Sequence, residues 1–75
     1  MRSFLALVSM LTLFAGCSSP EDRLSEHQRL AAEYLEAERW EEAKIELWNV
    51  IQLEPENGQA HFDMARTLWE LREFP

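Results

Sequence analysis

The sequence predicts an all-α fold, antiparallel helix hairpins stacked as a solenoid, and three observations carry that expectation. The first is an internal offset of 34 residues between Leu24 and Phe74. It lays His27 on His61, Leu30 on Met64, Ala31 on Ala65, Tyr34 on Leu68, Leu35 on Trp69, Glu36 on Glu70 and Trp40 on Phe74. The second is apolar residues recurring at steps of three and four, the signature of an amphipathic helix. The third is the turn chemistry between the copies, Leu53-Glu54-Pro55 followed by Glu56-Asn57-Gly58. A helix pair repeated at this period stacks on its neighbours, since one pair alone leaves an apolar face uncovered.

The first element is a leader. Arg2 gives a short positive start, and Phe4 to Ala15 is apolar except for Ser9 and Thr12. A bilayer-spanning helix needs about 20 apolar residues, so this stretch fits a secretory signal peptide better than a membrane span. It ends in Leu13-Phe14-Ala15-Gly16-Cys17, then Ser18-Ser19-Pro20, and Cys17 is the only cysteine in the chain. The run resembles the lipobox of bacterial lipoproteins, with Ala15, Gly16 and Cys17 on the pattern and Phe14 where the family favours Leu. The resemblance implies cleavage before Cys17 and lipidation of its thiol. It also implies more than one acyl chain, where one alone would hold only weakly. Ser18 after the cysteine resembles the family's outer-membrane default, which implies an envelope lipoprotein facing the periplasm.

Beyond Cys17, 58 residues remain to fold. A unit of that size buries only roughly 60% of its unfolded surface, so it is expected to be marginally stable. Six Lys/Arg stand against fourteen Asp/Glu there, a formal charge of −8. That balance disfavours nucleic acid, whose binding rests on cations that neutralise phosphates, and disfavours adsorption to anionic head groups. A lone cysteine allows no intrachain disulfide and no Cys-based metal cluster.

Ser19-Pro20-Glu21-Asp22 predicts a helix start, with serine as cap, proline in the first turn and acids at the positive end of the dipole. Leu24, Leu30, Ala31, Tyr34, Leu35 and Ala37 form its apolar stripe. Glu38-Arg39 is a junction short enough to fold the next helix back. Trp40, Ala43, Leu47, Val50 and Ile51 line that second helix, with Ala43 small enough for close approach. Pro55 ends it, because the residue before proline is driven from helical geometry. Asn57 is then placed to cap a third helix. Ile45 and Trp48 lie off the core stripe and are expected to pack on a neighbouring repeat or on the start of the first helix; the other reading is an exposed contact patch.

These residues resemble the tetratricopeptide repeat family over Leu24 to Pro75. Leu30, Ala31, Tyr34, Ala43, Leu47, Val50 and Pro55 fall on the family's signature positions. Departures are Leu-Ala for Leu-Gly at 30–31, Leu47 for an aromatic, Val50 for Ala, and His27 where Trp is frequent. The resemblance implies a right-handed solenoid divided as signal peptide (1–16), lipidated cysteine and tether (17–20), a first hairpin (21–57) and the first helix of a second, truncated repeat (58–75). Glu73-Phe74-Pro75 mirrors Arg39-Trp40-Glu41, so the sequence is expected to be part of a longer repeat protein. In the family the first helix of each repeat lines a concave groove. The groove positions would be Gln28, Ala32, Leu35 and Glu36, then Phe62, Arg66, Trp69 and Glu70. Aromatic and Arg side chains are the residue types enriched at interface hot spots.

Catalytic patterns are sparse. There is no His-Glu-x-x-His, no Gly-rich phosphate loop and no nucleophile with a base at a known spacing. His27 and His61 share a repeat position and could stack around a metal, but helix packing is the simpler reading. Glu36, Glu38, Glu41 and Glu42 are expected on solvated surface. The expectation is therefore a non-enzymatic, periplasmic scaffold with no cofactor, no metal and no small-molecule substrate. The resemblance to repeat lipoproteins implies as partners a protein or peptide of the cell envelope, in outer-membrane protein insertion, pilus assembly or polysaccharide export, and the membrane through its lipid. The alternative is the N-terminal adaptor of a larger envelope enzyme or transport complex.

Overall fold

A computed structural model describes residues 19–73, and the leader with Cys17, as well as Phe74 and Pro75, lies outside that range. The described chain is three helices, α1 (Pro20–Glu36), α2 (Trp40–Leu53) and α3 (Gly58–Glu70), with no strand among the described residues. The fold is all-α.

α1 and α3 begin where a side chain supplies a partner for free N–H groups. Ser19 is extended (φ −75°, ψ 163°) and closes a capping box on α1. Asp22 N donates to Ser19 Oγ at 3.1 Å, and Ser19 N donates to Asp22 Oδ2 at 3.4 Å. Pro20 occupies the first turn, where its missing N–H is not needed. Ser19→Ala is expected to lower stability by about 1 kcal/mol, read as a shift in the urea midpoint. α3 starts in the same manner, with Ala60 N donating to Asn57 Oδ1 at 2.9 Å. Asn57 Nδ2 also donates to Glu54 Oε1, which ties the α2–α3 linker together. α2 has no side-chain cap; Arg39 instead pairs with Glu42 and lies 5.2 Å over the Tyr34 ring.

The 34-residue offset is present in the backbone as well as in the side chains. After α1, Glu38 takes φ 57°, Glu38 N donates to Leu35 O at 3.1 Å and Arg39 N donates to Tyr34 O at 2.9 Å. After α3, Arg72 takes φ 61°, Arg72 N donates to Trp69 O at 3.1 Å and Glu73 N donates to Leu68 O at 2.8 Å. One left-handed residue thus satisfies the last carbonyls in both places. A non-glycine residue in that region costs about 1–2 kcal/mol, and glycine would remove this cost while adding unfolded-chain entropy. Glu38→Gly is therefore expected to raise stability by about 0.5 kcal/mol, as measured by thermal denaturation.

Ala31, Ala43 and Leu47 form the centre of the core, with Tyr34, Leu35 and Met64 packed against it. Val50 and Ala60 are also buried. Ala43 is fully enclosed, which is how α1 and α2 come together along their length. Thr67 is the one buried polar residue among those described, and its Oγ1 donates to Asp63 O at 2.7 Å. Ala37, predicted in the apolar stripe, is exposed because it is the C-cap, one residue past the helix. α1 is one turn longer than α3 at its start (Pro20–Arg23), since the cap at Ser19 lies four residues ahead of the position equivalent to Asn57.

Candidate partner-binding grooves

The antiparallel α1–α2 hairpin and the return of α3 along α2 leave an open groove on either side of α3. The first, of about 250 Å³, runs between α1 and α3. Gln28, Ala32 and Leu35 stand on the α1 wall, Leu47 and Val50 of α2 line its base, and Gln59, Ala60 and Asp63 stand on the α3 wall. The base is apolar, and the lining carries three amides (Gln28, Asn57 and Gln59) and the Asp63 carboxylate. Gln59 Nε2 donates to Asp63 Oδ1 at 3.0 Å, which fixes the α3 wall. Backbone groups of an extended segment could pair with such amides while small apolar side chains meet the floor.

The residues expected to share one groove divide. Gln28, Ala32 and Leu35 line it; Glu36 is exposed beyond its end. Phe62, Arg66, Trp69 and Glu70 are exposed on α3 and do not line it. The reason is geometric: at about 100° per residue, the stripe of Ala60, Asp63 and Thr67 faces inward, which turns Phe62, Arg66 and Trp69 away. Phe62 is 64% exposed and Trp69 61%. Arg66 is engaged within the chain, 5.5 Å over the Trp40 ring. Sequence reasoning missed Gln59, Ala60 and Asp63 because polar Asp63 and Thr67 interrupt the inward stripe. The usable signal was the small Ala60 four residues before Met64.

The second groove, about 450 Å³, lies between α2 and α3 on the opposite edge. Ile45, Trp48, Met64 and Leu68 line it, with Lys44 and Asn49 at its margins. Ile45 and Trp48 are thus neither packed on the start of α1 nor covered by α3; they are 59% and 57% exposed.

Ion pairs lie along α1 and between α2 and the exit of α3. Along α1, Arg29 pairs with Glu26 and Glu33, and its hydrogen bonds hold the Glu26 carboxyl below its ordinary value. Lys44 of α2 donates to Glu73 at 2.8 Å and lies 3.4 Å from Glu41. The Glu73 hydrogen bond, set against some desolvation, raises the lysine above its ordinary value. The signs are opposite in effect. The Glu26 contribution is present above the ordinary carboxylate value and is lost as pH falls through the depressed one; that of Lys44 is present below its ordinary value and is lost as pH rises through the raised one. Both pairs are solvated, so 1 M salt is expected to flatten these pH-dependent changes in the urea midpoint.

The two histidines have different partners. His27 Nδ1 donates to Glu46 Oε2 at 2.6 Å, linking α1 to α2. His61 Nε2 is 2.7 Å from Pro55 O, and because a carbonyl only accepts, that nitrogen carries the proton. His61 is exposed rather than packed between helices. Glu36, Glu38 and Glu41 are exposed and Glu42 half-buried. Among the described residues no group of three His, Cys, Asp or Glu could hold a metal ion. No helix among them is long and apolar enough to cross a membrane.

Comparison with protein-family models, with curated proteins and with solved structures returns no match. Among the described residues the geometry is an all-α arrangement of three helices with an open groove on either side of α3 and an acidic surface.

Proposed function

We propose that this chain is a lipid-tethered scaffold of the bacterial envelope, built from tetratricopeptide-like hairpins, that holds a protein or peptide partner. The observation that carries the reading is the repeat itself: two turns 34 residues apart share one left-handed residue and the same pair of hydrogen bonds. The Ala15-Gly16-Cys17 sequence supplies the tether, two residues ahead of the Ser19 cap. That spacing would keep the helices at the membrane surface. Solvation of most of the carboxylates gives the acidic unit no reason to lie flat on anionic lipid. The partner would be an extended segment seated between Gln28 and Leu35 of α1 and Gln59 and Asp63 of α3.

Two measurements test the reading separately. Mass spectrometry of the mature protein is expected to find an acylated N-terminal Cys17, and Cys17→Ser is expected to move the protein from the membrane to the soluble fraction. A cleaved but unmodified cysteine would remove the tether. For the groove, Ala32→Trp fills the opening from an exposed rim position without touching the buried core. Loss of a cross-linked envelope partner is expected, with unchanged helical circular dichroism. An unchanged cross-linking pattern would reject the groove.

A further inference from the structure

The α1–α3 groove carries an unbalanced charge. Its floor is apolar, with Ala31, Leu47, Val50 and Ala60 buried beneath the opening. Asp63 is the one ionisable side chain that lines it, and no Lys or Arg does. The residue is half-buried, and among the described residues its carboxylate accepts one hydrogen bond, from Gln59 Nε2 to Oδ1 at 3.0 Å. An ionised carboxylate offers about four acceptor sites, so a neutral amide on one oxygen leaves most of them open to a ligand. A partly desolvated charge also gains from a counter-charge more than a fully hydrated one does. The chain's own cations are engaged elsewhere. Arg29 is held by Glu26 and Glu33, Arg39 by Glu42, and Lys44 by Glu41 and Glu73. Arg66 lies over the Trp40 ring.

Resting on the groove reading above, we propose that the extended segment seated there carries a Lys or Arg whose head group pairs with Asp63. Its aliphatic stem and a neighbouring small apolar side chain cover the floor. A basic side chain meets both demands at once, since its stem lies along apolar surface while its charge stays at the rim. The small side chains of Ala31, Ala32 and Ala60 let such a stem approach closely. The field of the whole unit selects the same occupant. Six Lys/Arg against fourteen Asp/Glu beyond Cys17 attract a basic segment from a distance and repel an acidic one. A second copy of this chain would instead bring its own excess of carboxylates to the groove. The occupant is therefore a basic and apolar stretch of another protein.

The test selects short random peptides displayed on phage against the full chain, as wild type and as Asp63→Lys, Asp63→Asn and Ala32→Trp. Wild type is expected to enrich sequences with Lys or Arg at one fixed position, and Asp63→Lys to enrich Asp or Glu there. Asp63→Asn keeps an acceptor for Gln59, so unchanged helical circular dichroism is expected for it. In one selected peptide made synthetically, norleucine in place of the basic residue is expected to weaken binding to wild type about tenfold, and to Asp63→Asn about twofold at most. Peptides that are lost with Ala32→Trp but show no basic preference, or the same preference with Asp63→Asn, would overturn the pairing and leave the groove standing. Peptides that survive Ala32→Trp, or no enrichment at all, would remove the groove and the pairing together.

Discussion

Replacing Leu47 with alanine is expected to leave the isolated unit largely unfolded at 37 °C, as read by circular dichroism. Leu47 is 3% exposed at the centre of the cluster with Ala31 and Ala43, and it also lines the base of the α1–α3 groove. Removing three buried carbons leaves a cavity that the neighbours close only in part, at a cost of about 2–5 kcal/mol. A unit with 55 described residues holds roughly 3–8 kcal/mol in all. The loss is thus comparable to the whole. A wild-type-like unfolding curve for Leu47→Ala would mean that α2 does not anchor the other helices.

The opposite change at Ala43 is expected to have the next largest effect. Ala43 has no exposed surface, and it sits where α1 and α2 meet. Leucine there adds three carbons to a site already closed, which forces the helices apart or the side chain off its rotamer, at about 1–3 kcal/mol. The pattern of damage distinguishes it from Leu47→Ala. Overpacking displaces α1 from α2, so the His27–Glu46 hydrogen bond between them is expected to lengthen, visible as a shift of the His27 ring resonances in NMR. Thermal unfolding measures the energetic part. A stability unchanged by Ala43→Leu would show that the interface yields without strain.

Much of this architecture was legible in the residues because the determinants are local. Ser19 and Asn57 cap through side chains that reach only three residues ahead, and Pro55 stops α2 through its immediate neighbour. Ala43, Leu47 and Val50 lie at helical spacing and are all buried. What escaped the sequence depends on relations between helices. α3 is apolar around much of its circumference, so periodicity could not say which side turns inward. Polar Thr67 proved fully buried by bonding to its own helix, while Phe62 and Trp69 stayed exposed. Glu38 and Arg72 gave no warning of their left-handed backbone, since glycine is the usual marker and neither is glycine. The single groove expected from the family pattern became two because the inward stripe of α3 starts at Ala60.

The ladder of Glu26, Arg29 and Glu33 on α1 has a consequence for self-association. These residues occupy the repeat positions of Ala60, Asp63 and Thr67, and α3 buries Ala60 and Thr67 as it joins the preceding hairpin. Another copy docking through α1 as α3 does would have to bury Glu26 and Glu33, whose desolvation is expensive without new partners. Head-to-tail stacking generates open filaments when nothing closes it. The carboxylates of Glu26 and Glu33 therefore oppose stacking of a second copy on this face of α1.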